Sequence, residues 1–192
     1  MTADSLLEIL MTPIGNDNTQ ARRSGVGPVR IALGAVVLVP LFLTFGLFLT
    51  GEMRAMQVVS ASMSPTLEVG DRVLLRGIGR TPPLRGWLVS LVSPVDNGPE
   101  LVKRLVAVPG DTVEIDRGRL YVNDREVPAP GGYFDPRSRV PRFELLPDQY
   151  YVIGDNRAQS EDSEEFGPVP LAAITGRVSF RYSPWKRRGA VE

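Results

Sequence analysis

The pattern of hydrophobic and polar residues divides the chain into two different parts. From Ile31 to Gly51 there are 21 consecutive residues without a charge, which as a helix would span about 31 Å, close to the hydrocarbon thickness of a bilayer. A cleavable targeting segment has a shorter apolar core, of about 7 to 15 residues. We therefore predict a transmembrane helix over residues 30–51, preceded by a short cytoplasmic tail over residues 1–29.

The charges that flank this apolar run predict its orientation. Arg22, Arg23 and Arg30 lie on its N-terminal side, and positively charged residues favour the cytoplasmic side of a membrane. Arg54, on the other flank, reduces this asymmetry. We expect a single-pass protein of the plasma membrane, with residues 52–192 on the extracytoplasmic face.

After the predicted anchor, short β-like runs alternate with turns rich in Gly, Pro, Asp and Asn. This pattern is typical of a mainly β domain of antiparallel sheets with few short helices. A Pro- and Gly-rich segment, residues 128–147, is predicted to be a surface excursion. The predicted strands are Arg72–Leu75, Leu88–Val92, Leu101–Val108, Thr112–Ile115, Leu120–Val122 and Gln149–Ile153.

Composition excludes several classes of function. The 22 basic and 22 acidic residues cancel, so no global positive field attracts nucleic acid, and we predict no nucleic-acid partner. The chain has no cysteine and no histidine, which removes disulfides, thiolate sites and the common zinc and iron sites. The acidic residues near Asp155 do not follow the spacing of a calcium loop. We predict no metal and no cofactor.

Lys103 and Arg104 lie in an apolar strand, each between two apolar residues on its own face. Arginine keeps its charge and needs a carboxylate or solvent, whereas burial can make a lysine neutral. A free lysine with a pKa of about 10.4 is about 0.04% neutral at pH 7, and a pKa near 8 gives about 10% at a cost of about 3 kcal/mol. Lys103 is therefore a candidate base, with a side chain that reaches water as the alternative.

A loop with three hydroxyls follows the apolar run: Ser60, Ser62 and Ser64, closed by Pro65. A serine hydroxyl becomes a good nucleophile only when a base takes its proton, and the usual base, histidine, is absent. A carboxylate or a desolvated lysine remains, and Lys103 is the only lysine in an apolar setting. The alternative is an ordinary turn in which the serines bond to their own backbone.

Three motifs in this order resemble type I signal peptidase, the bacterial leader peptidase, a serine protease family with a Ser-Lys dyad. The resemblance extends from the predicted anchor to about Tyr182. The motifs are Ser60-Ala61-Ser62-Met63-Ser64-Pro65-Thr66-Leu67 with Gly70-Asp71, Val102-Lys103-Arg104 with Pro109-Gly110-Asp111, and Gly154-Asp155-Asn156-Arg157-Ala158-Gln159-Ser160-Glu161-Asp162-Ser163 with Gly167.

The resemblance implies a role for each motif. Ser62 would be the nucleophile and Lys103 its general base, while the Ser62 backbone N–H and the Ser60 hydroxyl would form the oxyanion hole. Arg104 would pair with Asp155. The residues implied to orient the base or support the site are Ser160, Asp155, Asp162 and Arg104. The residues implied to line the substrate pockets are Val58, Met63, Leu67, Leu101 and Val102.

The predicted function is that of a membrane-anchored serine endopeptidase that removes signal peptides from exported preproteins at Ala-x-Ala sites. Its partners would be those signal peptides and membrane lipid. Two alternatives stay open: a peptidase of the same chemistry for a dedicated pilin or conjugation protein, and a non-catalytic anchored β-module that binds extended peptides. A self-cleaving repressor is disfavoured because residues 1–29 are too short for a DNA-binding domain.

Three features depart from the family pattern. Glu164 stands at a position that is usually basic, so we expect Asp162 to lose an ion pair and to gain a like-charged neighbour. Trp87 stands where an aspartate commonly follows glycine, and the excursion after Val127 is short. We expect these departures to affect peripheral packing more than the Ser-Lys pair.

Overall fold

The computed structural model describes residues 28–49, 53–79, 81–95, 98–132 and 135–191. Most of the predicted cytoplasmic tail, residues 1–27, lies outside the described residues. Helix α1, Pro28–Leu49, covers most of the predicted helix over 30–51, and its side chains are described for 36–46. Over the residues that the structure describes, no helix was found that is long and apolar enough to cross a membrane.

The rest of the described chain is mainly antiparallel β, as the alternating short runs predict. Every strand pair is antiparallel. The strands in chain order are β1 Met53–Gln57, β2 Arg72–Arg76, β3 Leu88–Val92, β4 Glu100–Ala107, β5 Thr112–Asp116, β6 Arg119–Val122, β7 Arg125–Glu126, β8 Val140–Glu144, β9 Tyr151–Ile153, β10 Ile174–Ser183 and β11 Gly189–Ala190.

These strands form two sheets. The larger sheet has the order β1-β2-β10-β3-β4-β9, with β11 paired to β10, and the smaller has the order β7-β6-β5-β8. The predicted hairpin turn between β5 and β6 is present, with Arg117 and Gly118 both at positive φ. This is the backbone conformation that a two-residue hairpin turn requires. The fold therefore separates a large curved sheet from a smaller four-stranded one.

Part of the predicted surface excursion over 128–147 is in fact a strand. β8 pairs with β5 at the edge of the smaller sheet, and Leu145, directly after it, is buried. Pro141 lies within β8, and proline in a strand is tolerated at a sheet edge. The Pro- and Gly-rich composition of the segment hid this short edge strand from the sequence pattern.

β10 is the longest described strand and has no counterpart among the predicted strands. Gly176 interrupts its apolar alternation, and a Cβ at this position would lie 2.9 Å from the Arg76 carbonyl oxygen. Glycine here allows β2 to approach closely, which is one of the uses of glycine within a sheet. β10 pairs with both β2 and β3 and so joins them in one sheet.

The larger sheet curls so that β1 and β4 face each other. β1 pairs only with β2, and β9 pairs with β4 only from Arg104 onward, so residues 100–103 have β3 on one side. Met56 of β1 and Val102 of β4 nevertheless pack against the same hydrophobic cluster. Each of the two strands therefore has a backbone edge without a strand partner in the described chain, and we call the space between these two edges the groove.

Candidate active site

The loop that carries Ser62 follows β1 and is closed by its own backbone. The Val58 N–H donates to the Asp71 carbonyl at 2.9 Å, and the Gly70 N–H donates to the Val58 carbonyl at 2.8 Å. Ser62 is buried, and its Oγ lies 3.1 Å from Ser60 Oγ. The loop therefore holds two hydroxyls side by side next to the groove.

Three residues that the sequence did not single out fix this loop from outside. Asn156 donates its backbone N–H to the Ser62 carbonyl at 2.9 Å and its side-chain amide to the Ala61 carbonyl at 3.1 Å. Arg181 and Arg187 donate to backbone carbonyls of the loop. Arg187 belongs to a basic run near the C-terminus, Lys186-Arg187-Arg188, so part of that run holds the loop in place. These contacts are not visible in sequence spacing because the partners lie about a hundred residues away.

Asp71 forms ion pairs with the arginines that contact the loop. It is 2% exposed, accepts the Glu68 N–H at 3.0 Å, and forms ion pairs with Arg181 and Arg187. A buried carboxylate needs such partners because burial without them is costly. The Gly70-Asp71 step in the first motif was the only sequence signal for this cluster.

Lys103 is enclosed in the domain, and its amine has one hydrogen-bond partner in the described chain. The side chain is 2% exposed, and Nζ donates to Ser160 Oγ at 2.8 Å. Ser160 in turn donates to Asp162 Oδ2 at 2.6 Å. The alternative of a lysine that reaches water does not hold. The amine, the hydroxyl and the carboxylate form a chain in which each group donates to the next.

Burial lowers the pKa of Lys103 from its usual value, and the negative charges of Asp162, Glu165 and Glu161 oppose that shift. The net direction is downward because desolvation of the ammonium is the largest of these effects. A lowered pKa increases the fraction of neutral amine near pH 7, and only the neutral amine can accept a proton.

Gly154 brings the Ser62 loop and Ser160 together. A Cβ at this position would lie 2.7 Å from the Ser62 carbonyl oxygen and closer still to Ser160 Oγ. The Gly154 N–H also donates to Asp162 Oδ2 at 2.8 Å. Glycine is therefore required here by close approach of the backbone, the reason that glycine recurs where chains meet a functional group.

Gly154→Ala is expected to reduce the activity predicted from the sequence by at least about tenfold, because the added methyl group must displace Ser160 or the Ser62 carbonyl. Gly110→Ala provides a matched control for activity, since a Cβ there meets no atom within 4 Å, although its φ of +83° makes some loss of stability the expected result. The measurement is kcat/KM on a peptide substrate. Full activity in Gly154→Ala would contradict the close contact.

Arg104 and Asp155 form the second structural unit of the site. Arg104 Nε donates to Asp155 Oδ1 and Nη2 to Oδ2, each at 2.8 Å, and Thr66 adds a hydroxyl to the same carboxylate. Arg104 also donates to the Gly86 carbonyl at 2.9 Å. The arginine on the apolar strand thus has the carboxylate partner that its fixed charge requires.

Asp155→Ala is expected to lower the free energy of unfolding by about 3 to 5 kcal/mol, because it leaves the charge of Arg104 largely buried without a partner. Asp116→Ala is the matched control: it removes the exposed Asp116–Arg139 ion pair, with an expected cost below about 1 kcal/mol. Denaturant unfolding of the full chain in detergent measures both. Equal losses in the two variants would show that burial does not matter here.

Asp162 does not depend on the basic neighbour that Glu164 replaces. Asp162 caps the short helix α2, Ser163–Phe166, and accepts the Glu164 N–H at 3.1 Å, while Glu165 accepts the Asp162 N–H. Glu164 points to other partners and binds Arg157 and Ser138. The expected like-charge neighbour is present, and Arg157 compensates its charge.

Trp87 also has a cationic partner. The Arg177 guanidinium lies 4.4 Å from the centre of the Trp87 ring, a cation–π distance. This contact joins β10 to the start of β3. The aromatic departure from the family pattern is thus accommodated on the sheet at a distance from the Ser62 loop.

The five predicted pocket residues divide between two hydrophobic clusters. Val58, Met63 and Leu67 are buried in one cluster, with Val102 packed against it. Leu101 packs against the other cluster, on the opposite face of β4. The first four are therefore together beside the groove, and Leu101 is separated from them by the strand. Among the described residues, no group of three or more acidic, histidine or cysteine side chains could hold a metal ion.

Gly154 lies next to both the Ser62 carbonyl and Ser160, the partner of the buried Lys103 amine, so the serine loop and the amine meet in the same region of an antiparallel β domain. Comparison with known proteins identifies the family. A family model described as "Signal peptidase, peptidase S26" matches residues 30–185. The chain belongs to the signal peptidase I family, whose members are serine endopeptidases.

Individual relatives show how far the similarity extends. A probable signal peptidase I-2 of Synechocystis is 33% identical over 172 residues, which cover 83% of this chain and 76% of the relative. A probable chloroplastic thylakoidal processing peptidase 2 of Arabidopsis thaliana is 36% identical over 72% of this chain, which spans 40% of that longer protein. The crystal structure of a signal peptidase I from Enterococcus faecalis V583 is 28% identical, with a TM-score of 0.42 over 52% of this chain and 98% of that chain.

Proposed function

We propose that this protein is a membrane-anchored serine endopeptidase that removes signal peptides from exported preproteins, with Ser62 as the nucleophile and Lys103 as the general base. The observation that carries the proposal is the buried Lys103 amine, held by Ser160 at 2.8 Å. Family membership supports the substrate class. Burial of the Lys103 amine and the resulting downward shift of its pKa support its role as the base.

In the proposed acylation step, Ser62 Oγ attacks the carbonyl carbon of the scissile bond and its proton passes to neutral Lys103 Nζ. Lys103 then gives this proton to the departing amine of the mature protein. Ser62 Oγ pairs with Ser60 Oγ, and no hydrogen bond joins it to Lys103 Nζ within the described chain. A rotation of the Ser62 side chain therefore precedes attack, in keeping with catalytic hydrogen bonds that tighten only in the complex with substrate.

In the proposed deacylation step, Lys103 takes a proton from a water molecule, whose oxygen attacks the ester on Ser62 and releases the signal peptide. During both steps negative charge develops on the substrate carbonyl oxygen. The Ser62 N–H and the Ser60 hydroxyl would stabilise it, because preorganised donors act most strongly in a site that excludes water. Ser160 supports the base: its hydroxyl donates a hydrogen bond to Asp162, and its oxygen accepts a hydrogen bond from the Lys103 amine.

The substrate would bind as an extended strand in the groove between β1 and residues 100–103 of β4. Both strands have unpaired backbone edges there, and such edges bind peptides by adding a strand. Because side chains of a strand alternate, the first and third residues before the cut would point to the same face. Val58, Met63 and Val102 leave little room on that face, which favours small residues at both positions.

Membrane anchoring by α1 completes the proposal. Large apolar side chains of its described part are exposed, with Val36 at 74% and Phe42 at 77%, and the apolar run in the sequence is long enough to span a bilayer. The arginines before it favour a cytoplasmic N-terminus. An anchor would hold the enzyme in the same plane as a membrane-bound substrate and so raise their effective concentration.

The rate should rise with pH to a plateau that is reached below the usual lysine pKa of about 10.4, because protonated Lys103 cannot accept a proton and burial lowers its pKa. Below the folded-state pKa activity is lost, and above it activity reaches a plateau. Unfolding free energy should also rise with pH between the folded-state pKa and about 10.4, since the unfolded chain binds more protons there.

Glu161→Gln tests the assignment of this pH profile. The Glu161 charge raises the pKa of Lys103, so its removal should move the rising limb of kcat/KM to lower pH. Arg139→Gln, directly before β8, is the control for a surface charge change and should leave the profile in place. A profile that is flat from pH 6 to 9 would argue against Lys103 as the base.

The decisive experiment for the function is incubation of the full-length protein in detergent with a preprotein that carries an Ala-x-Ala site, followed by sequencing of the new N-terminus. A cut directly after the second alanine, absent with Ser62→Ala, is the expected result. No cut, together with acylation of Ser62 by a serine-directed inhibitor, would favour a peptidase with a dedicated substrate. No cut and no acylation would favour the non-catalytic peptide-binding module.

A further inference from the structure

An ion pair connects the two strands that border the groove. Arg54 Nη2 of β1 lies 2.9 Å from Glu100 Oε1 of β4, although these strands are at different positions in the sheet order and do not pair with each other. The Glu100 carboxylate also accepts a hydrogen bond from Thr175 of β10 at 2.5 Å, and Thr175 Oγ1 lies 2.8 Å from Ser90 Oγ. Thr175 of β10 therefore holds the Glu100 carboxylate in place, and Arg54 of β1 binds it from the other side of the groove.

The ion pair lies on the same strand faces as the apolar pocket. On β1, Arg54 is two residues before Met56 and four before Val58, and alternate residues of a strand share a face. On β4, Glu100 is two residues before Val102 for the same reason. Met56, Val58 and Val102 belong to one cluster. The face of the groove thus changes from apolar near the Ser62 loop to charged at Arg54 and Glu100.

We propose that the Arg54–Glu100 pair is a specificity determinant that selects a polar residue at the fifth position before the cut. The proposal rests on the function proposed above. If the first and third side chains of an extended substrate point to the apolar pocket, the fifth points to the same face one step further along. Glu100 is two residues from Val102, or about 7 Å of strand, which is the spacing between the third and fifth residues of an extended substrate.

The selection follows from the solvation of the ion pair. The side chains of Arg54 and Glu100 are 44% and 26% exposed, so water completes their hydration. A large apolar side chain at the fifth position would displace this water and offer no hydrogen bond in return, which is costly for charged groups. A serine or another polar side chain replaces the lost hydrogen bonds. The apolar segment of a substrate would therefore have to end before this position.

The test uses four peptides with one Ala-x-Ala site, each with Ser or Leu at the fifth or the fourth position before the cut. The full-length protein in detergent should prefer Ser over Leu at the fifth position by about tenfold in kcat/KM. At the fourth position, whose side chain points to the opposite face, the two peptides should agree within about twofold. Affinity of the same peptides for Ser62→Ala, measured by fluorescence anisotropy, should show the same preference without cleavage.

Removal of both charges should abolish the preference. In the double variant Arg54→Gln/Glu100→Gln, which keeps the side chains long and polar, the ratio at the fifth position should fall to within about twofold. The double variant Arg139→Gln/Asp116→Asn removes an exposed ion pair of the smaller sheet and should keep the full ratio. Arg54→Ala/Glu100→Ala provides a second neutral pair, and thermal unfolding checks that each variant is folded.

The outcomes separate this inference from the proposed function. A ratio near one in the unmodified protein, or a full ratio in the neutral double variants, would overturn the inference while cleavage of the Ser peptides still supported a peptidase. Failure to cleave any peptide would count against the proposed function. Binding to Ser62→Ala would then still decide the inference, because the preference and its loss are measured there as affinities.

Discussion

Lys103→Ala should reduce kcat/KM on an Ala-x-Ala substrate by about 100- to 10,000-fold, the range that a general base contributes. The amine is buried and bonded to Ser160, and no other lysine or histidine could replace it, because the chain has only one further lysine, Lys186, and no histidine. Hydrolysis of a preprotein measured over a range of substrate concentrations provides the rate.

Lys186→Ala is the matched control, because it removes the other lysine, which is exposed. It should leave kcat/KM unchanged. Lys103→Met keeps the length of the side chain without the amine and should be as inactive as Lys103→Ala while it fills the apolar space better. If either Lys103 variant kept most of the activity, the proton acceptor would have to be sought elsewhere, with Asp162 as the next acidic group along the same hydrogen-bond chain.

Ser62→Ala should remove the covalent step and lower kcat by on the order of 10⁶-fold, as loss of a catalytic serine does in other serine proteases. The loop should keep its conformation, because it is held through backbone atoms: Asn156 binds the Ser62 carbonyl, and Val58 and Gly70 close the loop. Thermal unfolding should therefore be nearly unchanged, and mass spectrometry should find no acyl adduct with a serine-directed inhibitor.

Ser64→Ala separates the nucleophile from its neighbours. Ser64 lies two residues further along the same loop, and its hydroxyl donates to Glu68 Oε1 at 2.8 Å, so its loss should affect stability slightly and leave acylation of Ser62 intact. An adduct found on Ser64 in the unmodified protein, or persistent cleavage by Ser62→Ala, would assign the nucleophile to a different hydroxyl.

The surroundings of Lys103 balance two opposing requirements. Burial lowers its pKa, and the carboxylates of Asp162, Glu165 and Glu161 raise it. Asp162 accepts the hydrogen bond of the Ser160 hydroxyl and caps α2. Removal of its charge would therefore weaken both interactions. The net lowering of the pKa therefore depends on how completely the apolar strands exclude water from the amine.

Glu164 shows how the site accommodates an acidic side chain where the family pattern has a basic one. Sequence comparison with the family pattern predicted a lost ion pair for Asp162. In the structure Asp162 is satisfied by the Gly154 and Glu164 N–H groups and by Ser160, and Glu164 binds Arg157. Every residue except proline has a backbone N–H group, so the sequence does not show which of them will bind Asp162.

The sequence by itself determined the elements whose signal is local. Alternation of apolar and polar residues predicted β2, β3 and β5, and the apolar neighbours of Lys103 made its burial one of two alternatives. The absence of histidine and cysteine, which the sequence also shows directly, excluded a histidine base, disulfides and thiolate sites. The order of three short motifs was sufficient to predict the family, and the match of the family model to residues 30–185 confirmed it.

Only the tertiary structure decided how these elements meet. Three contacts join residues far apart in the chain. Arg181 and Arg187 bind carbonyls of the Ser62 loop, Gly154 lies close to the Ser62 carbonyl, and Arg54 pairs with Glu100. They depend on the curl of the larger sheet and on β10, whose alternation Gly176 obscures. Period and composition report what a segment prefers locally, whereas the partners of a side chain are set by packing across the whole domain.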